Sequence, residues 1–226
     1  LGPYYGPDNI PRWDPDTNGV MQNSGQLTTA GGVYGLVVDS SGYLYISSYN
    51  RDTLGRFNTN AGQEGWEAVY TGVMGSYGIA VDGFNRIWRG GYNYTGGIVM
   101  FDPSTMTVTH FGVGGTDTLP TPGSTRPVTV TPAGTATGFS QFMTTGVGVE
   151  PATGDVWASF YPIGYTGRLV LDNNNLANSQ WIMIGTTRDA ANNFLSGVSQ
   201  DLRGVGFDRA GYAWTLGLGS DRVWKI

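Results

Sequence analysis

The amino-acid sequence predicts an all-β protein. We expect a β-propeller of four-stranded antiparallel blades, with about four blades present. Two observations support this fold class. The first is a motif that occurs four times, at residues 35–45, 78–88, 146–157 and 204–214. Each copy runs from a glycine through apolar residues to Asp or Glu, then through a polar turn to a strand ending in an aromatic residue. Repeats at such spacing indicate a propeller or solenoid. The second is composition, because Gly is abundant at 37 residues and only 13% of residues are charged, about half the usual share.

Each copy of the motif predicts the first two strands of a blade, joined by a tight hairpin turn. A third strand is predicted at 54–57, 98–101, 168–171 and 222–226, and a fourth at 66–70, 107–111 and 180–184. Four antiparallel strands joined by short turns are typical of a propeller blade. We therefore expect one domain over residues 1–226, with a partial blade at 1–30 and blades at about 31–72, 73–113, 145–184 and 202–226.

Two insertions separate successive blades, at about 112–144 and 185–201. The first includes a further predicted strand at 126–131, and only 188–195 has a pattern compatible with a short helix. The N-terminal segment 9–17 resembles the end of a third strand, so the chain begins and ends within blades. Two arrangements follow from this count. The N-terminal strand completes the last blade of a closed four-bladed ring, or the chain is part of a ring of about six to seven blades.

Charge and composition exclude several classes of partner. The net charge is −5, the sequence pI is about 4.6 and Lys225 is the only lysine, so the clustered cations of a nucleic-acid interface are missing. No apolar run approaches the roughly 20 residues of a membrane span. The chain has no cysteine, which excludes disulfides and thiolate zinc sites. Few lysines and abundant Thr, Asn and Gly are typical of an exported bacterial protein, extracellular or periplasmic. No leader precedes Leu1, which indicates either a removed leader or a fragment.

The motif resembles the repeat of the NHL and virginiamycin B lyase (streptogramin lyase) propeller superfamily. The shared pattern is Gly-[Ile/Val/Leu]-x-[Val/Phe]-Asp-x-x-Gly-x-[Ile/Leu/Ala]-[Tyr/Trp], followed by a strand that runs into Asp-Pro-x-Thr, as at 102–105. The resemblance covers residues 9–226 and implies a propeller. It implies no single activity, because the superfamily includes lyases, hydrolases and binding scaffolds. Its lyase uses a histidine with a magnesium-binding glutamate on the top face, whereas the single histidine of this chain, His110, is predicted on an outer strand.

The repeated carboxylates and aromatic residues are interpreted as structural. The carboxylates are Asp39, Asp82, Glu150 and Asp208. Each follows the first strand of a blade, where it can accept N–H groups across the turn, so a metal site is the less favoured interpretation. The aromatic residues are Tyr45, Trp88, Trp157 and Trp214. Their recurrence at blade spacing predicts packing between blades.

The remaining chemical candidates are weak on sequence grounds. His110 lacks an obvious carboxylate partner and is expected at a surface or sheet edge. The only glutamates, Glu64, Glu67 and Glu150, do not form an acid–base pair. Oxygen atoms of Asp52 and of residues 172–175 could contribute to a calcium site, but turns are favoured there. The tripeptide 93–95 matches the N-glycosylation signal.

The loops between the second and third strands carry exposed tyrosines flanked by Asn and Arg. We expect these loops to share one face of the propeller with both insertions, a pattern that often marks a binding face. Tyrosine rings with planar hydrogen-bonding groups suit sugars or peptides. The candidate ligand-binding residues are Tyr49, Asn50, Arg51, Tyr92, Asn93, Tyr94, Tyr161 and Tyr165.

Three functions remain open from the sequence. The favoured one is a non-catalytic binding or structural scaffold of an exported protein that binds a carbohydrate or protein partner. The second is a lyase or hydrolase with a divalent metal, Ca²⁺ or Mg²⁺, in the central channel. The third is an assembly subunit whose open blade edges pair with another chain that completes the propeller. No catalytic residue and no resident cofactor is assigned.

Overall fold

The computed structural model describes residues 8–13, 21–27, 33–48, 52–59, 66–72, 75–91, 97–114, 122–132, 143–198, 200–219 and 222–226. The candidate ligand-binding residues at 49–51 and 92–94 lie outside these ranges. Strands β1 (Asp8–Trp13) and β2 (Met21–Leu27) form an antiparallel hairpin. β1 is therefore paired with β2, and within the described residues it does not join the sheet of the last blade.

Four successive antiparallel units follow, which confirms the predicted fold class. Blade I comprises β3 (Val33–Val38), β4 (Tyr43–Ser48), β5 (Thr53–Asn58) and β6 (Trp66–Tyr70). Blade II comprises β7 (Gly75–Val81), β8 (Ile87–Gly91), β9 (Gly97–Asp102) and β10 (Thr107–Val113). After β11 (Thr125–Pro132), blade III comprises β12 (Met143–Val149), β13 (Val156–Tyr161), β14 (Tyr165–Val170) and β15 (Gln180–Ile184). Blade IV has three described strands, β16 (Leu202–Phe207), β17 (Ala213–Gly217) and β18 (Arg222–Lys225).

The first strand of each blade is the innermost one. β3 lies beside β7, β7 beside β12, and β12 beside β16, so the four blades follow one another around a common axis. A large apolar cluster joins blades II and III and includes Trp88, Val147 and Trp181, while a smaller cluster joins blades I and II around Tyr45 and Phe101. The core is thus a series of layers between blades, as stacked repeats require.

The motif glycine is explained by close approach of the next blade. A Cβ atom at Gly35 would lie 2.7 Å from the Tyr77 carbonyl oxygen, and one at Gly146 would lie 2.7 Å from the Arg203 carbonyl oxygen. At Gly78 the nearest atom, the Val147 backbone nitrogen, would be 2.3 Å away. These distances are shorter than van der Waals contact, so a side chain at these positions would push the blades apart.

The insertion between blades II and III contributes the bridging strand β11. Its Thr125–Pro127 segment pairs with β15, and Val128–Pro132 pairs with β10. Blades II and III are therefore joined at their outer strands as one nine-stranded sheet. The extra strand predicted at 126–131 is confirmed, but the helix considered at 188–195 is wrong, since Arg188 and Phe194 form an antiparallel bridge.

Candidate functional site

The motif carboxylates are hydrogen-bonded to the turns and to the motif aromatic residues. Asp82 Oδ1 accepts the N–H groups of Phe84 and Arg86, at 2.9 and 3.0 Å, while Oδ2 accepts the Trp88 indole N–H at 2.9 Å. Asp39 binds its turn and the Tyr45 hydroxyl in the same way, and Asp208 binds its turn and Trp214. The bond from Trp214 lowers the pKa of Asp208. The structural interpretation of these carboxylates is confirmed.

The third copy of the motif differs because its turn is longer. Glu150 Oε2 accepts the Trp157 indole N–H at 3.0 Å and lies 3.3 Å from the Arg168 guanidinium, which also pairs with Asp155 at 2.7 Å. The longer side chain of Glu150 spans the additional residue of the turn and preserves the bond to the aromatic ring. In each copy the carboxylate thus accepts a hydrogen bond from the aromatic side chain at the motif's second strand.

His110 is buried, which corrects its expected position at a surface or edge. It lies in β10, between β9 and the bridging strand β11, and is 1% exposed. Neither ring nitrogen has a hydrogen-bond partner among the described residues. Burial lowers the pKa of His110 to about 4. The imidazole is therefore neutral at ordinary pH, and β11 explains its burial because it converts β10 from an edge strand into an interior one.

The predicted tyrosine loops are only partly described. Tyr49, Asn50, Arg51, Tyr92, Asn93 and Tyr94 lie outside the described residues, as does Glu64. Tyr161 is half-buried at the end of β13. Tyr165 is fully buried in β14, and its hydroxyl lies 2.5 Å from Asn192 Oδ1. The expected exposure of Tyr165 is wrong because the strand begins three residues earlier than predicted and takes the ring into the layer between blades.

Each innermost strand contains a register shift at the motif glycine, which sequence reasoning missed. In β3, β12 and β16 the shift is at the single residue before the glycine, whereas in β7 it spans residues 76–78 and includes Gly78. The strand register shifts between Val33 and Gly35, between Gly75 and Ile79, between Thr144 and Gly146, and between Leu202 and Gly204. Bulges re-aim side chains and are frequent beside functional sites. The side chains at the shifts form a group that we call the bulge ring: Tyr34, Tyr77, Thr145 and Arg203.

Three members of the bulge ring are in contact although they come from different blades. The rings of Tyr34 and Tyr77 meet edge to face, with centroids 4.6 Å apart at 81°. The Arg203 guanidinium lies 4.7 Å from the Tyr77 ring centroid and 5.6 Å from that of Tyr161. The fourth member, Thr145, is fully buried, and its hydroxyl donates a hydrogen bond to the Leu202 carbonyl oxygen. Contact between blades II and IV across the intervening blade places the bulge ring at the common axis.

Arg203 is held by a two-point ion pair. Its Nε lies 2.6 Å from Asp201 Oδ1, and its Nη2 lies 2.7 Å from Oδ2. Burial disfavours the charged guanidinium and lowers the pKa of Arg203. Pairing with Asp201 has the larger effect, so the pKa is raised overall. The side chains of Arg203 and Asp201 are 24% and 17% exposed, and Tyr34 is 41% exposed. The bulge ring therefore combines the exposed Tyr34 ring and the half-buried Tyr77 ring with the partly exposed ion pair of Arg203 and Asp201.

The described carboxylates are possible metal ligands by their chemistry. Within the described residues, no three histidine or carboxylate side chains gather where they could hold a metal ion. Asp172 Oδ1 accepts the N–H groups of Asn174 and Asn175, so its predicted role in a turn is confirmed. These hydrogen bonds lower the pKa of Asp172, with the Asn175 N–H as the largest cause. The arrangement at the axis suits binding by contact and hydrogen bonding.

The repeated antiparallel blades place the protein among the β-propellers. No protein-family model and no curated protein matches the chain. Solved structures match it well. A catalytically inactive virginiamycin B lyase from Staphylococcus aureus, determined with quinupristin, has a TM-score of 0.62 and 14% identity, over 97% of this chain and 60% of that chain. The chain thus spans less than two thirds of that protein.

Two further solved structures are similar. An auxiliary nutrient binding protein from Bacteroides thetaiotaomicron has a TM-score of 0.55 and 13% identity, over 87% of this chain and 38% of that chain. The extracellular domain of a hybrid two component system from the same organism has a TM-score of 0.52 and 12% identity, over 92% and 24%. The resemblance predicted from the motif is confirmed at the level of the propeller fold. No helix in the described part of the chain is long and apolar enough to cross a membrane.

Proposed function

We propose that the protein is a non-catalytic binding scaffold that takes a neutral carbohydrate at the bulge ring. The observation that carries the proposal is the recurrence of the bulge in all four innermost strands, which directs Tyr34, Tyr77 and Arg203 to one accessible place. Sugar rings pack on aromatic faces, and their hydroxyls bond to planar polar groups. From the sequence we expect the loops at 49–51 and 92–94 to share this binding face.

Electrostatics favour a neutral ligand over a charged one. The ion pair with Asp201 offsets the charge of Arg203, and the pair stays partly exposed. The chain as a whole has few charges and a net charge of −5. A strongly anionic ligand would be repelled, and a cation would find no free carboxylate cluster in the described residues.

The proposal includes the cellular location of the protein. An extracellular or periplasmic site of action agrees with the composition, and one structural neighbour is an extracellular domain while another is a nutrient binding protein. Propellers have many unrelated functions, so these neighbours support a binding role for the fold and leave the ligand to experiment.

The proposal is tested by isothermal titration calorimetry with a panel of neutral oligosaccharides of cellulose, xylan, chitin and starch. We expect at least one to bind the wild-type chain and to bind Tyr34→Ala about tenfold more weakly, a loss of about 1.4 kcal/mol. The matched control is Tyr70→Ala, because Tyr70 is also well exposed, at 58%, but lies on the outer strand β6. Absence of binding by every oligosaccharide, or equal weakening in both variants, would contradict the proposal.

A further inference from the structure

An open cavity of about 310 Å³ lies where turns of blade II meet a turn of blade III. Its lining residues are Phe84 and Arg86 from the β7–β8 turn, Asp102 and Ser104 from the end of β9 and the turn after it, and Asn173 from the β14–β15 turn. These turns follow the last residues of β7, β9 and β14, whereas the bulge ring lies near the first residues of the innermost strands. The cavity is therefore on the opposite face of the propeller from the bulge ring.

Phe84 departs from the repeated motif at this cavity. The equivalent turn residues are Ser41 in blade I and Ala210 in blade IV. In all three turns the motif carboxylate accepts the N–H group of this residue at 2.9 Å, so serine and alanine close the turn as well as phenylalanine does. The Phe84 ring is 71% exposed and contributes little to the core. Because neither turn closure nor burial explains the ring, we consider it a platform for a ligand.

The turn that carries Phe84 is fixed by contacts on both sides. The Arg86 guanidinium lies 4.9 Å from the centroid of the Phe84 ring, and its Nε donates to Asp82 Oδ2 at 2.6 Å. Between them, the Asn85 side chain accepts the Ser40 N–H of blade I at 3.0 Å, which ties the turn to the neighbouring blade. A ring held in this way loses little conformational freedom when a ligand binds.

The charged groups at the cavity favour a neutral ligand that carries several hydroxyls. Asp102 Oδ1 accepts the N–H and the hydroxyl of Ser104, at 2.9 and 2.6 Å. Burial raises the pKa of Asp102, but these hydrogen bonds and the nearby Arg86 have the larger effect and lower it overall. The charged carboxylate repels an anion, and Arg86 repels a cation. Guanidinium and amide groups donate to sugar hydroxyls, while carboxylate and amide oxygens accept from them, so the lining suits a sugar.

We propose that this cavity is a second binding site, which takes a terminal sugar residue of a neutral glycan with the sugar ring against Phe84. The cavity volume is at the lower end of the range of about 300–1,000 Å³ for small-molecule sites, which suits a mono- or disaccharide unit. The inference does not depend on the bulge ring, since the two sites share no residue and lie on opposite faces. With both sites occupied, one molecule connects two glycan chains.

The site is tested in the Tyr34→Ala variant, where the bulge ring is impaired, by ligand-detected NMR titration with neutral mono- and disaccharides of glucose, galactose, mannose and xylose. We expect at least one sugar to bind. Adding Phe84→Ala should weaken this binding about tenfold, because the aromatic platform is lost. The matched control is Tyr212→Ala in the same background, since Tyr212 is an exposed aromatic residue, at 46%, in the corresponding turn of blade IV. It should leave the binding unchanged.

Charged analogues test the class of ligand. The uronic acid of the sugar that binds best should bind more weakly, and Asp102→Asn should reduce this difference. Tighter binding of the amino sugar would overturn the assignment of a neutral ligand. Absence of binding by every sugar, or equal weakening by Phe84→Ala and Tyr212→Ala, would overturn the site. Binding that is equal in the wild-type chain and Tyr34→Ala but is weakened by Phe84→Ala would support this site and contradict the bulge ring.

Discussion

The junction between blades II and III and the outward face of blade IV are built from the same motif but differ in what covers them. At the junction, the motif glycine Gly78 touches β12, Trp88 is completely buried, and β11 joins the outer strands. On blade IV the equivalent glycine and tryptophan have no following blade among the described residues. The difference shows that each blade has two packing surfaces, one for each neighbouring blade. The stability of the blade depends on both surfaces being covered.

The largest difference in stability between equivalent positions is expected when motif glycines are replaced by alanine. Gly78→Ala should lower the free energy of unfolding by about 3 kcal/mol or more, because the new Cβ would overlap the Val147 backbone, which cannot move without separating the blades. Gly204→Ala, measured in dilute solution, should change stability by less than about 1 kcal/mol and can even stabilise the strand. Urea unfolding monitored by tryptophan fluorescence measures both. Similar losses in the two variants would mean that the blade IV face is already occupied.

A smaller contrast is expected from the tryptophans. Trp88→Ala should cost about 4 kcal/mol, because it leaves a large cavity in the layer between blades. Trp214→Ala should cost about half as much, since that side chain is only half-buried. Both variants lose an indole N–H hydrogen bond to the motif carboxylate. The loss of this bond therefore contributes little to the difference in unfolding free energy between them. Thermal and urea unfolding of the two variants provide the values, and equal losses would contradict the difference in burial.

A further effect is a pH dependence of stability from His110 beneath the bridging strand. Its pKa is about 4 in the folded protein and about 6.5 when unfolded, so the unfolded chain binds the proton more tightly. The stability supplied by the neutral imidazole is complete above pH 6.5 and is lost as the pH falls toward 4, by about 3 kcal/mol in total. Unfolding curves between pH 7 and 4 should show this slope in the wild-type chain and lack this component in His110→Leu. An identical slope in both proteins would show that carboxylates alone cause the acid sensitivity.

Local features of the chain were well predicted from the sequence. The fourth strands at 66–70 and 180–184 coincide with β6 and β15, and the additional strand at 126–131 lies within β11. The turn-closing role of Asp39, Asp82 and Asp208 was also predicted, because a carboxylate at the end of a strand contacts N–H groups only a few residues away. These features depend on apolar alternation and turn chemistry within short segments.

Features that depend on distant segments were missed or wrong. His110 was expected at an edge because the pairing of β11 with β10 cannot be deduced from either strand alone. Tyr165 was expected to be exposed, although its strand begins at the tyrosine and buries it. The bulge ring was missed entirely. A signal was present, since the residue before the motif glycine is Tyr in two copies and Thr and Arg in the others, while the glycine does not change.

The sequence by itself determined the repeated blade, its hairpin turns and the glycine and aromatic positions that face the next blade. These follow from contacts between residues close in the chain and from a pattern repeated four times. Only the tertiary structure decided that β11 joins blades II and III, and that Tyr34, Tyr77 and Arg203 meet at the axis. The physical reason is that these contacts depend on strand register and on the angle between blades, both of which are set by packing between segments far apart in the sequence.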